Sequence, residues 1–479
     1  MEKPVEFITT GATGSELIVN KDIFPLLEEE TRPITVVCVV GPYRTGKSYL
    51  LNRIMKKKDA FALGSKVTAA TKGIWLWKGD FFDDPSRALI LLDTEGLDDP
   101  EKGDASHDMN LFVLALMLSS LFVYNTKGTI DAKSIDGLRY AAEMGDFIRA
   151  DAADEDPGQN LAKHLPGFIW AVRDFHLETE IDGKEVTPKG YLEHCLKTKP
   201  GVGRKIAEYN MIRDAIRNFF AERTCCVFPP PVTSPEQMRR LEELDENDLE
   251  PDFLVQADVF LSEVQKAKIK YINGTSIKGR SFALLAEQYA DAVLKRDICI
   301  ESTYDYVVKR ENKSAVAEAT KELRNVLSNL LGNLPVSGNK FAEACKEATA
   351  AANKKFLSTC INLEKHREDI EPLLNDAFDH VLSETRGQND AASDEKCNMA
   401  LATLYQAIQT KADAGAYMVR GGYKELQKAN KHLQDSYNRM TEDELGPRKD
   451  ERMKHFMSEV VRLLHMAWPF KFYKHLNSR

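Results

Sequence analysis

The segment Gly41-Pro42-Tyr43-Arg44-Thr45-Gly46-Lys47-Ser48 follows the spacing Gly-x-x-x-x-Gly-Lys-Ser, a pattern whose chemistry is the holding of phosphate. Glycines let the backbone turn tightly enough for successive N–H groups to face an anion. The lysine places a point charge on the outer phosphates, and the serine hydroxyl suits magnesium. Lys47 is therefore expected on the β- and γ-phosphates and Ser48 on Mg²⁺. Tyr43, Arg44, Thr45, Gly46 and Tyr49 complete the expected phosphate cradle.

Such a loop works with a second element that ends a neighbouring strand. The run Ala88-Leu89-Ile90-Leu91-Leu92 leads into Asp93-Thr94-Glu95-Gly96, where Asp93 would reach Mg²⁺ through a water and the Gly96 N–H would approach a γ-phosphate. A threonine that senses metal and γ-phosphate should lie between the two elements. Thr71, before the apolar run Ile74 to Trp77, is the candidate, with Thr68 as a rival. Reading a guanine needs a carboxylate that accepts from the base, and no Asn-Lys-x-Asp segment is present. Thr410-Lys411-Ala412-Asp413 fits a relaxed form but lies far down a helical region. Arg173-Asp174 instead follows the apolar run Gly167 to Val172, where a base-reading loop should fall.

The elements that must position these residues are legible in the same terms. Helix-terminal N–H groups can face a phosphate only if a strand enters the loop and a helix leaves it. Ile34 to Val40 reads as a buried strand, and Tyr49-Leu50-Leu51-Asn52-Arg53-Ile54 opens an amphipathic helix. Further strand-like runs (Leu121 to Tyr124, Gly167 to Val172) alternate with helical stretches at Ile135 to Ala150 and Asn210 to Ala221, which predicts a doubly wound, mostly parallel α/β sheet. Adjacent Cys225 and Cys226 are expected on a strand. Residues 1 to 280 hold 15 of the 19 prolines and 20 of the 27 glycines, so turns concentrate there. Beyond, apolar positions such as Leu373, Leu374, Ala377, Phe378, Val381 and Leu382 recur at helical spacing. Breaks near Pro335, Gly387, Gly421-Gly422 and Gly446-Pro447 predict an all-α bundle of five or six helices. The boundary is placed after Lys278-Gly279, giving an α/β P-loop GTPase domain at 1–285 and an elongated helical domain at 286–479.

A net charge of -9 gives no electrostatic reason to expect nucleic acid. The run Lys56-Lys57-Lys58 reads as a solvated helix end. Eight cysteines without a Cys-x-x-Cys pair suggest reduced thiols in the cytoplasm. Leu111 to Tyr124, the longest apolar run at 14 residues, is too short to span a bilayer and reads as a buried helix entering a buried strand.

The ensemble resembles the guanylate-binding proteins, large dynamin-related GTPases. The likeness lies in the phosphate loop, Thr71-Lys72-Gly73-Ile74-Trp75-Leu76-Trp77, Leu92-Asp93-Thr94-Glu95-Gly96-Leu97, Glu101-Lys102-Gly103-Asp104 and Val172-Arg173-Asp174-Phe175. It continues through Val186-Thr187-Pro188 with Tyr191-Leu192, and reaches Ala414-Gly415-Ala416-Tyr417 and Gly421-Gly422-Tyr423 in the helical half. The resemblance implies GTP binding with Mg²⁺, hydrolysis to GDP and in some relatives on to GMP, dimerisation through the nucleotide domain, and a role in cell-autonomous innate immunity. It also implies that Asp174, with Arg173, reads the guanine, that Arg44 acts as an arginine finger in cis, and that Glu95 helps position the attacking water. GTP, GDP and a second copy of the chain are the partners implied, with a membrane or other family members open.

The chain departs from the family at three places. Ala69 stands where many members carry a water-orienting serine, which leaves a slowly hydrolysing, nucleotide-gated assembly module as the alternative. Phe228-Pro229-Pro230-Pro231-Val232 lacks the arginine that the base-capping segment tends to carry, with Arg239 and Arg240 following shortly. The chain also stops at Arg479 with neither the long effector helices nor the terminal cysteine box of some relatives, as though truncated after the middle domain. An atlastin-like membrane fusogen shares the P-loop and Arg-Asp motifs but needs spanning segments.

Overall fold

The structure, a computed structural model, describes residues 1–11, 16–58, 60–62, 71–99, 105–151 and 161–467. The chain divides into two compact units, Met1–Val308 and Lys309–Arg479.

The first unit is built on an eight-stranded sheet. Its strands are β1 (Val5–Thr10), β2 (Leu17–Val19), β3 (Ile34–Val40), β4 (Ile74–Phe81), β5 (Asp84–Thr94), β6 (Leu121–Lys127), β7 (Gly167–Arg173) and β8 (Arg223–Val227). The spatial order is β8-β7-β6-β3-β5-β4-β1-β2. Pairs from β8 through β5 are parallel, whereas β5-β4, β4-β1 and β1-β2 are antiparallel. Parallel strands covered on both faces need unbroken apolar runs. All seven residues of β3 are accordingly buried. The chain crosses from β3 to neighbours on either side, and the carboxyl ends of β3, β5, β6 and β7 open onto one crevice, where doubly wound sheets bind ligands.

One face of the sheet is covered by helices Lys47–Met55 and Pro251–Gln265, which share a core with Val37, Val39, Leu89, Leu91, Val123 and Ile169. Helix Ala105–Leu118 is buried at every position from His107 to Leu118, as a central helix with no solvent face must be. The expected helix-into-strand reading of residues 111 to 124 is what forms, with β6 starting at Leu121. Cys225 and Cys226 lie on β8, and all eight cysteines are free thiols. Lys56, Lys57 and Lys58 are exposed after the end of helix Lys47–Met55.

Two expectations need correction. Residues 135 to 150 do not form one helix. They give the short helices Ala132–Asp136 and Arg139–Met144, capped at Gly137 and Gly145, and then an extended pair of residues at Ile148–Arg149. Nor does Gly387 break the second unit. Helix Leu363–Asp413 runs through it, because the buried stripe Ile370, Leu374, Phe378 and Val381 resumes beyond it at Asn389, Ser393, Cys397 and Leu401. Asn389 also grips the turn near Pro335, its Nδ2 donating to Val336 O (3.1 Å) while its Oδ1 accepts from Val336 N–H (2.8 Å). Packing of this kind outweighs the roughly 1 kcal/mol helix penalty of one glycine. The break instead falls at Cys360–Asn362, where Asn362 takes a left-handed φ of 48°.

The described residues of the second unit otherwise form Gly338–Thr359, Gly422–Asn438, the single turn Glu442–Leu445 and Lys449–Ala467. The division between units falls inside helix Ile300–Leu331, while residue 285 lies within helix Gly279–Lys295, which stacks Phe282 on Phe7 of β1 (5.7 Å). The helical unit packs around two apolar clusters, one centred on Leu323, Leu327, Phe341, Phe356 and Phe378 and one on Leu401, Leu426, Leu433 and Tyr437. Leu323 is fully buried, so Leu323→Ala should lower stability by about 2–5 kcal/mol in urea unfolding followed by circular dichroism.

Candidate functional site

The site begins where β3 ends. Gly41 has φ +154°, and a Cβ there would lie 2.1 Å from the carbonyl oxygen of Asn125, so no side chain fits. Arg44 (φ 59°) and Gly46 (φ 86°) turn the loop back into the helix that starts at Lys47. Thr45 Oγ1 donates to Pro42 O (2.9 Å), closing the loop on itself, and Asn125 Nδ2 donates to Thr45 O (2.8 Å) from β6. On the other side Tyr43 N–H donates to Leu97 O (3.0 Å) and Leu97 N–H to Gly41 O (3.1 Å). Gly96 sits so close that a Cβ would meet Tyr43 Cα at 2.5 Å. The N–H groups of the first helical turn, Lys47 through Tyr49, have no acceptor within the helix and are what an anion would use. The Tyr49 ring itself is buried, so its part in a cradle is its backbone amide.

Lys47 crosses this loop, its Nζ donating to Gly41 O (3.2 Å) and Pro42 O (3.3 Å). Burial pushes its pKa down to about 8, partly offset by Asp93 and Glu95. Arg44 is exposed, with its guanidinium 5.3 Å from the Tyr43 ring centre.

Asp93 lies at the carboxyl end of β5, one residue before its last, opposite Val39 of β3. Its Oδ2 accepts from Ser48 Oγ (2.7 Å) and Thr71 Oγ1 (3.2 Å). Its Oδ1 is buried and has no hydrogen-bond partner. Burial raises the carboxyl pKa to about 6 against the opposing effect of the serine hydrogen bond. One carboxylate and two hydroxyls are hard oxygen donors of the kind magnesium takes alongside phosphate, and the unused Oδ1 leaves room for a further contact. Ser48, Thr71 and Asp93 thus fit the ion. Glu95 is held at both oxygens: Gly73 N–H donates to Oε2 (2.9 Å) and His107 Nε2 hydrogen-bonds Oε1.

Arg173 ends β7 and Asp174 follows it, but their side chains serve different surroundings. Asp174 takes φ 55°, is part exposed, and lies 3.3 Å from Lys127 Nζ at the end of β6. Arg173 is buried, its guanidinium carbon 5.4 Å from the ring centres of Tyr49 and Phe228 and 5.6 Å from that of Phe253. Its Nε and Nη1 have no hydrogen-bond partner, and burial lowers its pKa. It packs under the loop: a Cβ on Gly46 would lie 3.4 Å from its Nη1. Phe228, first residue of the segment read as base-capping, is a wall of this cage. Arg239 and Arg240 are exposed, Arg240 pairing with Glu243. Thr68 and Ala69 fall outside the described residues, as do Glu101 to Asp104. Thr410 to Asp413 ends a helix of the second unit.

Asn125, Lys127 and His107 escaped the sequence reading. The first two close a strand otherwise marked only by its apolar run. His107 is the one imidazole in a polar first turn, with Ser106, Asp108 and Asn110, that leads into the apolar run from Leu111 to Leu118, which was the available signal.

A phosphate-type loop at the carboxyl end of the central strand, facing an aspartate on the adjacent one, defines a P-loop domain of the doubly wound class. The family models for the guanylate-binding protein N-terminal and C-terminal domains match residues 14–271 and 273–466. The chain is 33% identical over 470 residues to guanylate-binding protein 7 of Mus musculus, covering 96% of this chain and 72% of that one. It is also 33% identical over 457 residues to human guanylate-binding protein 4, covering 93% and 70%. For human guanylate-binding protein 1 the figures are 33% over 425 residues, 86% and 71%. This chain belongs to the guanylate-binding protein family. Among its described residues no helix is long and apolar enough to cross a membrane.

If Asn125 braces the loop, Asn125→Asp should set a carboxylate against Thr45 O and cost about 1–3 kcal/mol. Thermal unfolding of the two proteins side by side is the measurement.

Proposed function

We propose that this protein binds GTP at the crevice above β3 and hydrolyses it to GDP and phosphate. The observation that carries the reading is the convergence of Ser48 and Thr71 on the buried Asp93 carboxylate beside a loop spanned by Lys47. The names of the relatives, guanylate-binding proteins, support guanine as the base.

In this reading the loop amides and Lys47 hold the β- and γ-phosphates. Ser48 and Thr71 would ligate Mg²⁺ directly and Asp93 through a water, and the ion would neutralise charge shared by those phosphates. Water oxygen bonds to the γ-phosphorus, the bond to the bridging oxygen breaks, GDP leaves with its electron pair, and the water proton passes to the released phosphate. Glu95 orients the water, and the Gly96 amide approaches the γ-phosphate. Arg44, exposed beside the loop, swings over the transferring group as a finger in cis, where its charge acts mainly in the transition state. Asp174 accepts from the guanine, and Arg173 supports it from beneath the loop. Pairing of two copies through this face, a cytoplasmic location, and a part in cell-autonomous immunity extend the proposal on family grounds.

Phosphate release from GTP and Mg²⁺, measured across protein concentrations, tests the core of it: turnover per molecule should rise with concentration, and no release at any concentration defeats the proposal. In the same assay Arg44→Ala should keep near-normal GTP affinity while turnover drops by roughly 10³- to 10⁵-fold. Unchanged turnover would remove the finger.

Asp174→Asn exchanges an acceptor for a donor facing the base. Its GTP affinity should fall by roughly 10- to 100-fold, while XTP, which offers an acceptor at that edge, should gain on GTP. An unaltered base preference in competition binding would take the guanine role away from Asp174.

A further inference from the structure

Glu95 follows the metal-side strand β5 by one residue and is 1% exposed, and its partner His107 is 2% exposed. Burying a carboxylate and an imidazole together is costly unless each is hydrogen-bonded. The two meet through His107 Nε2 and Glu95 Oε1, while the other carboxylate oxygen takes the Gly73 amide (2.9 Å). Gly73 O in return accepts from the Glu95 backbone N–H (2.8 Å). Glu95 is thereby tied to the strand-start that follows Thr71 on one side and to helix Ala105–Leu118 on the other.

The same helical turn makes a second clasp. Asp108, beside His107, accepts at Oδ2 from Asp98 N–H (2.7 Å). The four residues Glu95 to Asp98 are therefore gripped at both ends by one helix turn. Their middle, Leu97, is laddered to the phosphate loop through Gly41 and Tyr43. With His107 in place the carboxylate cannot rotate about its last bond without abandoning a buried partner.

We propose that His107 is a positioning residue for hydrolysis: its Nε2–H holds Glu95 Oε1 so that the carboxylate presents one fixed orientation to the γ-phosphate side of the loop. The proposal rests on the reading of the chain as a GTPase. In the hydrogen bonds above His107 reaches the site at Glu95, so its loss is expected to act on turnover through that carboxylate.

The test uses the full chain and two readouts: binding of a fluorescent, non-hydrolysable GTP analogue, and kcat for phosphate release. His107→Leu should lower kcat by up to about 10²-fold, with the analogue Kd changed by less than about twofold. In a Glu95→Gln background the same substitution should add less than about twofold, because the group it positions has already been altered. Additive losses, an unchanged kcat, or a loss seen mainly in Kd overturns the proposal. Should His107→Leu not fold, His107→Gln and His107→Asn decide the matter. The longer amide can donate to Glu95 and the shorter falls short, so His107→Gln must exceed His107→Asn in kcat by at least about fivefold, and equal values overturn it. Wild-type protein that binds the analogue yet releases no phosphate overturns the hydrolytic reading and this proposal with it. Wild-type turnover with additive losses overturns this proposal alone.

Discussion

The pairing of β3 with β5, which sets Val39 beside Asp93, is the constraint on which the site depends. It brings a carboxylate to the first turn of the helix that leaves the phosphate loop, and it does so in the interior. A buried carboxylate is tolerated only if its oxygens are met. Ser48 and Thr71 meet one of them, and in doing so they join three separated stretches of chain at a single atom. The same burial makes Lys47 an expensive cation and draws it towards Asp93, Glu95 and the loop carbonyls.

From that junction the bracing spreads outward. Asn125 on β6 holds the loop from one flank and Leu97 holds it from the other. Glu95 carries the link on to helix Ala105–Leu118, whose apolar stretch from Leu111 to Leu118 is anchored in the core. A shift of any one of these strands would thus be felt at several hydrogen bonds. That interdependence is how an open loop with residues at positive φ stays in one conformation.

How much of this could be read beforehand depended on range. The strand ends of β3 and the run into Asp93 were legible because parallel strands buried on both faces leave continuous apolar stretches. The loop was legible because its glycines and lysine sit at fixed local spacing. Gly387 misled because helix propensity is local, whereas the stripe that carries the helix through it is a matter of packing. Residues 135 to 150 misled for the converse reason: their apolar content is helical on average, but Gly137 and Gly145 terminate short segments. Asn125, Lys127 and His107 acquire meaning only from the register of β6 and the placement of one helix turn, and nothing in their immediate neighbours encodes that.

Arg173 shows the same point in energetic form. A guanidinium without a carboxylate at hydrogen-bond distance should be expelled from a core, yet this one is enclosed by Tyr49, Phe228 and Phe253. Each ring face returns about 0.5–2 kcal/mol to a cation, so three of them together offset a substantial part of the desolvation that lowers its pKa. The three rings come from the loop helix, from the residue after β8, and from helix Pro251–Gln265. Arg173 is also the residue before Asp174. The position of the acid that follows β7 is therefore coupled to the helix that begins at Lys47 through a packed cation, and the two ends of the crevice cannot move independently.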